Sequence, residues 1–282
     1  SGDGNTVVLT SPMQTETSGD KSGYLKIMRY LDGSWNEIGK IFSKSVSNFN
    51  WFGHALSVSE DGNTILFQEN LNSVVSAEIK YLVYKYDGQN WNQLGDDFNS
   101  GYISNNGTNS FTYASRLSAD GNFLVIRVNH SIETYIWLSN GWIQAQSLSI
   151  SEYVKNIFLS PSGSTLITYD YTNDDYGLGV GGLIVYKYNE PGGNWEKVAQ
   201  KKGSDYQVSF GSNISTDFDG NQFLIHFNDN FTSRKGTIQK FVLDGDTLSE
   251  YSQPFRGSLL NNSPYWAQTM SSDYNANFTS FS

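Results

Sequence analysis

The 282-residue chain has no cysteine, which excludes a disulfide scaffold, thiol catalysis and Cys-ligated zinc while leaving the redox compartment open. Charge is also scarce, with Asp, Glu, Lys and Arg at 16% of residues. The nearest approach to a basic stripe is the pair of doublets Lys201-Lys202 and Arg234-Lys235. Together with a net charge of -10, this argues against a nucleic-acid partner, which needs clustered cations to meet phosphates. An acidic balance instead suits the solubility of a crowded or exported protein. No apolar run approaches the length of a transmembrane span. The first residues hold neither an initiator Met nor a signal-like stretch, as in a trimmed chain. Ala, Glu and Leu, the good helix formers, are few.

What the chain does have is aromatic residues, at 15%, in a background of Ser, Asn, Thr and Gly that fits an all-β surface with many short turns. Five times an aromatic precedes a small polar residue by eleven positions: Phe52 and Asn63, Phe111 and Asn122, Tyr153 and Ser164, Phe210 and Asn221, Trp266 and Asn277. Such self-similarity, at a period of about 40 to 60 residues, marks a repeat architecture whose units bury their apolar faces against neighbours. Composition does not change from end to end, so residues 1–282 read as a single domain. Its repeats run approximately over 5–62, 63–121, 122–163, 164–220 and 221–276, with a leftover strand at 277–282.

Each repeat reads as four strands. The first begins Phe52-Gly53-His54-Ala55-Leu56-Ser57-Val58 and alternates small with larger apolar groups. The turn Glu60-Asp61-Gly62-Asn63 follows, read as a two-residue hairpin with Asp-Gly supplying positive φ. Second strands are predicted at 6–10, 64–68, 123–127, 165–169 and 222–226, and third strands at 24–31, 79–86, 132–138, 183–188 and 237–243. Fourth strands open with Trp35, Trp91, Trp142, Trp195 and Leu248, expected at the rim against the next unit. Four antiparallel strands per period make the blade of a β-propeller, so the fold class is all-β, with five repeats visible. Closure with five blades, using 266–272 as the last first strand, and closure with six or seven are both open. The unmatched strand 278–282 offers an edge for assembly with another chain.

Phe52-Gly53 and Phe210-Gly211-Ser212-Asn213-Ile214, with the Asp-Gly-Asn turn and the Trp-led strand, resemble FG-GAP repeats, the blades of integrin-α-like propellers. The chain is similar to their calcium-free variants in exported proteins of marine bacteria, algae and large algal viruses. The resemblance implies an extracellular, cell-surface or virion-surface location and a role in adhesion or structure. Integrin-type blades carry a calcium loop of several carboxylates after the first strand. Here that loop is a short turn, and even Asp217-Phe218-Asp219-Gly220 has too few oxygens for a calcium cage. No metal site and no cofactor is expected.

Catalytic signatures are wanting. The three histidines, His54, His130 and His226, fall in different repeats. No Ser-His-acid spacing or phosphate loop is present, and Ser59-Glu60-Asp61-Gly62 only approaches the sialidase Asp-box. Glu69, Asp170, Asp174 and Asp175 are the carboxylates a propeller glycoside hydrolase would use. The repeat itself suggests a different constellation. The residues ending the second strands, Thr10, Gln68, Arg127, Tyr169 and His226, form a polar ring on one propeller face, and the adjoining loops bring Trp51, Tyr102, Tyr171 and Tyr176. Amphipathic aromatics of this kind suit glycan stacking or protein contact. The expected function is therefore non-enzymatic recognition of a protein or glycan, with glycoside hydrolysis and calcium-dependent adhesion as the alternatives.

Overall fold

The structure, a computed structural model, describes residues 1–11, 23–43, 52–71, 76–104, 114–151, 153–172, 180–189, 193–204, 208–228, 236–251 and 253–256. Among these residues every regular element is a β-strand. The chain divides into two compact units, Ser1–Glu152 and Tyr153–Ser282.

The first unit holds three antiparallel sheets. Sheet one is β1 (Thr6–Ser11), β2 (Tyr24–Leu31) and β3 (Ser34–Phe42), in that order. Sheet two runs β4 (His54–Val58), β5 (Thr64–Leu71), β6 (Ser76–Tyr86), β7 (Trp91–Gln93), with β8 (Phe98–Ser104) continuing the fourth strand along β6. Sheet three runs β9 (Ser115–Leu117), β10 (Phe123–Val128), β11 (Ser131–Leu138), β12 (Gly141–Ser149). In the second unit, sheet four is β13 (Val154–Leu159), β14 (Thr165–Asp170), β15 (Gly182–Asn189) and β16 (Asn194–Lys202). Sheet five is β17 (Val208–Thr216), β18 (Gln222–Asn228), β19 (Gly236–Asp244) and β20 (Thr247–Glu250), with β21 (Phe255–Arg256) also on β19. Each full sheet is thus the four-stranded meander the repeat predicts, and sheet one has three strands. The C-terminal strands expected at 266–272 and 278–282 lie outside the described residues.

Burial is deepest in the second strands of sheets three and four. β14 is buried at every position, and β10 at its four central ones, which is why these strands are apolar at consecutive positions rather than alternating. Leu25, Ile27, Phe52, Ile65 and Phe67 share one core between sheets one and two. Leu66, Tyr81, Val83, Leu124 and Ile126 share the next, between sheets two and three. In the second unit Ile167, Val185, Phe210, Phe223 and Phe241 form a single core.

Three local expectations need correction. The Asp-Gly turn is not a two-residue hairpin. Ser59 and Thr64 close a four-residue loop (Ser59 N–H to Thr64 O, 2.9 Å), and Gly62 N–H returns to Ser59 O at 3.0 Å. Gly62 stands at φ 68° while Asp61 is not left-handed. This is a type I turn followed by a left-handed glycine. Its Asp acts as a bracket: the Asp61 carboxylate accepts from Ser59 Oγ (2.6 Å), Asn63 N–H (2.9 Å) and Asn63 Nδ2 (2.9 Å), while Ser59 Oγ accepts from Thr64 N–H. The bracket recurs at Ser118-Asp120-Asn122 and Ser1-Asp3-Asn5. Second, the rim tryptophan packs back on the preceding sheet, not forward on the next: Trp91 lies over Gly39 and Trp142 over Gly95. Third, Tyr102 is not in a loop but in β8, opposite Glu78 of β6.

Candidate functional site

Register confirms that Thr10, Gln68, Arg127, Tyr169 and His226 are equivalent positions, each four residues into its second strand. Their surroundings differ from an open face. Thr10 is exposed, whereas Gln68, Arg127, Tyr169 and His226 are buried. Two of the ring positions, Thr10 and Tyr169, stand at a joint between sheets. Gly53 of the Phe-Gly start adopts φ 80°, and a Cβ there would lie 2.6 Å from Leu25 and 2.9 Å from Thr10. Gly211, at φ 90°, would crowd Tyr169 and Leu183 in the same way, at 3.3 and 3.4 Å. Thr10 and Tyr169 therefore bear on the next repeat's Phe-Gly glycine, whose missing side chain lets the first strand close in while Phe52 and Phe210 enter the core. Arg127 donates from Nε to Asn129 O at 2.9 Å, and its own carbonyl accepts from the buried Tyr81 hydroxyl at 3.2 Å. Burial lowers the His226 pKa and so keeps that ring neutral near pH 7.

The expected loop aromatics separate. Trp51 and Tyr176 lie outside the described residues, and of Tyr102 only the backbone is described. Tyr171 is described and has company. Its backbone N–H meets Tyr153 O at 3.5 Å, where the strands β13 and β14 run out. The two rings meet edge to face at 5.8 Å between centroids. Lys155, two residues along β13 from Tyr153, sets its Nζ 4.8 Å from the centre of the Tyr171 ring. Tyr153 is 43% exposed, so an aromatic floor, an aromatic wall and a cation stand together at one end of sheet four. In the sequence Tyr153 marks only the repeat and Lys155 carries no signal. Lys155 is the extra residue of a bulge between Val154 and Asn156, which strand alternation in the sequence does not reveal.

The carboxylates are held by their neighbours. Glu69 is buried and accepts a short hydrogen bond from Ser43 Oγ. Asp170 is buried and accepts from Thr172 N–H (2.9 Å) and Thr172 Oγ1 (2.8 Å), an Asx turn that ends β14. Asp174 and Asp175 lie outside the described residues. Asp217 accepts from Asn221 and Gln222 N–H groups at 2.6 and 3.0 Å, so it is spent on the turn rather than on an ion. Among the described residues no three of His, Cys, Asp and Glu gather as metal ligands. His130 is exposed at the β10–β11 hairpin, and of His54 only the backbone in β4 is described. No described helix is long and apolar enough to cross a membrane.

No protein-family model matches the chain, and no curated protein matches it in sequence. Among solved structures, a protein from Bacteroides fragilis proposed to be a 6-phosphogluconolactonase aligns with 90% of this chain and 68% of its own, at TM-score 0.54 and 14% identity. TolB from Acinetobacter baumannii aligns with 91% of this chain and 52% of its own, at TM-score 0.48 and 12% identity. The likeness to the Bacteroides protein is one of fold alone. With the repeated four-stranded antiparallel sheets, it makes this an all-β, β-propeller-type chain.

Proposed function

We propose that the chain is a non-enzymatic recognition module that binds a glycan through the Tyr153, Tyr171 and Lys155 cluster at one end of sheet four. The observation that carries this reading is the half-exposed Tyr153 ring with Tyr171 set edge to face against it and Lys155 beside them. A pyranose presents an apolar C–H face and a hydroxyl rim, and an exposed tyrosine flanked by a cation offers a matching surface for each. The Phe-Gly glycines at positive φ, Gly53 and Gly211, support membership among FG-GAP-type repeats, because only glycine fits there. With that resemblance goes the further proposal of an extracellular, cell-surface or virion-surface setting.

Glycoside hydrolysis is the competing reading. It is disfavoured by the hydrogen bonds that hold Glu69 and Asp170 as structural acceptors. A glycan array probed with the intact protein, followed by a turnover assay on whatever binds, tests both readings. The proposal expects retention of unaltered glycan that is lost in Tyr153→Ala. Cleavage that survives Tyr153→Ala but is lost in Asp174→Ala with Asp175→Ala replaces it with the hydrolase.

A further inference from the structure

The sequence holds six Asn-x-Ser/Thr triplets, beginning at Asn106, Asn129, Asn213, Asn230, Asn261 and Asn277, the pattern that accepts an N-linked glycan. Those at Asn129 and Asn213 fall among the described residues, and the fold treats them differently.

Asn129 and His130 make the tip of the hairpin between β10 and β11, where Val128 pairs with Ser131. Both tip residues are exposed. Asn129 stands at φ 52°, in the left-handed region that asparagine tolerates better than most side chains do. The carbonyls of the tip are all engaged. Val128 O accepts from Ser131 Oγ at 2.9 Å, Asn129 O from Arg127 Nε at 2.9 Å, and His130 O from Ile150 N–H at 2.8 Å. The Asn129 carboxamide, by contrast, enters no hydrogen bond among the described residues. The tip is therefore held by its backbone and leaves this side chain to solvent.

Asn213 lies inside β17, opposite the buried His226 and beside the buried Ile214, and is itself only half-exposed. A glycan is bulky and needs a surface position. At Asn213 it would have to leave from within a paired strand, whereas at Asn129 it leaves from a hairpin tip into water. The hydroxyl of the Asn129 triplet also carries information. In the closed hairpin Ser131 Oγ is spent on Val128 O, so transfer belongs to the chain before β10 and β11 pair.

We infer that Asn129 is the acceptor of an N-linked oligosaccharide, attached before this hairpin closes, and that Asn213 stays bare in the folded chain. The donor class is an oligosaccharide carried on a lipid pyrophosphate. A bond forms from Asn129 Nδ2 to C1 of the first sugar, the bond from C1 to the pyrophosphate oxygen breaks, and the amide proton leaves to base. The assignment rests on the extracellular or surface setting proposed above, because such donors serve exported chains.

The test imposes that setting. The whole chain, behind a cleavable secretion signal, is expressed in eukaryotic cells, and the folded secreted fraction is treated with peptide N-glycosidase in heavy-oxygen water and mapped by mass spectrometry. Heavy aspartate is expected in place of Asn129 in most molecules and not in place of Asn213. Ser131→Thr keeps the label. Ser131→Ala lowers the intact mass by one glycan, and Asn129→Asp, which suits the same φ, does so without removing the Ser131 bond. An unlabelled Asn129 in the unaltered secreted chain overturns the inference; because the signal supplies the compartment, that result counts against the site and not against the setting. A labelled Asn213 in chains that melt as the unaltered protein does overturns the choice between the two triplets.

Discussion

Trp142 occupies the place a side chain would take on Gly95: a Cβ there would lie 2.7 Å from the indole, whose Nε1 donates to Leu94 O at 2.9 Å. Trp91 and Gly39 repeat the arrangement one sheet earlier, with 2.5 Å between a built Cβ and the ring. In the second unit the corresponding pair is Leu248 and Ala199, in one core. The smaller side chain goes with the larger seat.

Gly39 lies outside the left-handed region, so Gly39→Ala reports crowding of Trp91 without backbone strain. Overpacking of this kind costs about 1–3 kcal/mol. Trp91→Leu in the same chain recovers part of the loss, which a double-mutant cycle on urea melts measures.

Gly62 and Gly4 share a conformation but not an environment. Alanine at either bears the left-handed strain of about 1–2 kcal/mol. Only Gly62→Ala also collides with Thr6. Gly62→Ala is therefore the more destabilising of the two in chemical denaturation, and Thr6→Ser narrows the difference.

Acid destabilises the turns. Burial opposes ionisation of Asp61, but donation from Ser59 Oγ and from Asn63 outweighs it and holds the carboxyl below its usual range. A depressed folded pKa gives stability that is present above the unfolded value, near 4, and is lost as pH falls through the folded one. Asp61→Asn lowers the melting temperature at pH 7 and flattens its decline below pH 4.

His226 adds a slope at higher pH. Burial lowers its pKa, so the unfolded chain binds the proton first. Stability then falls as pH drops below the unfolded value of about 6.5. His226→Gln removes that slope between pH 7 and 5, as melts across the range show.

The strands were legible because their hydrophobic pattern and their Gly-rich turns agree. β2 begins and ends where alternation and Asp32-Gly33 put it. The type of the turn between the first and second strands was not legible, because Asp-Gly serves both the two-residue hairpin and the type I turn with a following glycine. What separates them is the bracket of Ser59, Asp61 and Asn63, which spans five residues and shows only once folded. The ring positions share one register, but pattern cannot tell a residue facing solvent from one facing the next repeat. Tyr169 proved to face the joint, against Gly211. The pairing of Tyr153 with Tyr171 needed the hairpin β13–β14 to bring together residues far apart in sequence.

The most direct test of the recognition reading is an NMR titration of the intact protein with the glycan the array selects, following the ring signals of Tyr153 and Tyr171. The account predicts saturable shifts at both rings, abolished in Tyr153→Ala while the melting temperature holds. Saturable binding that leaves both rings unmoved, or that persists undiminished in Tyr153→Ala, contradicts it.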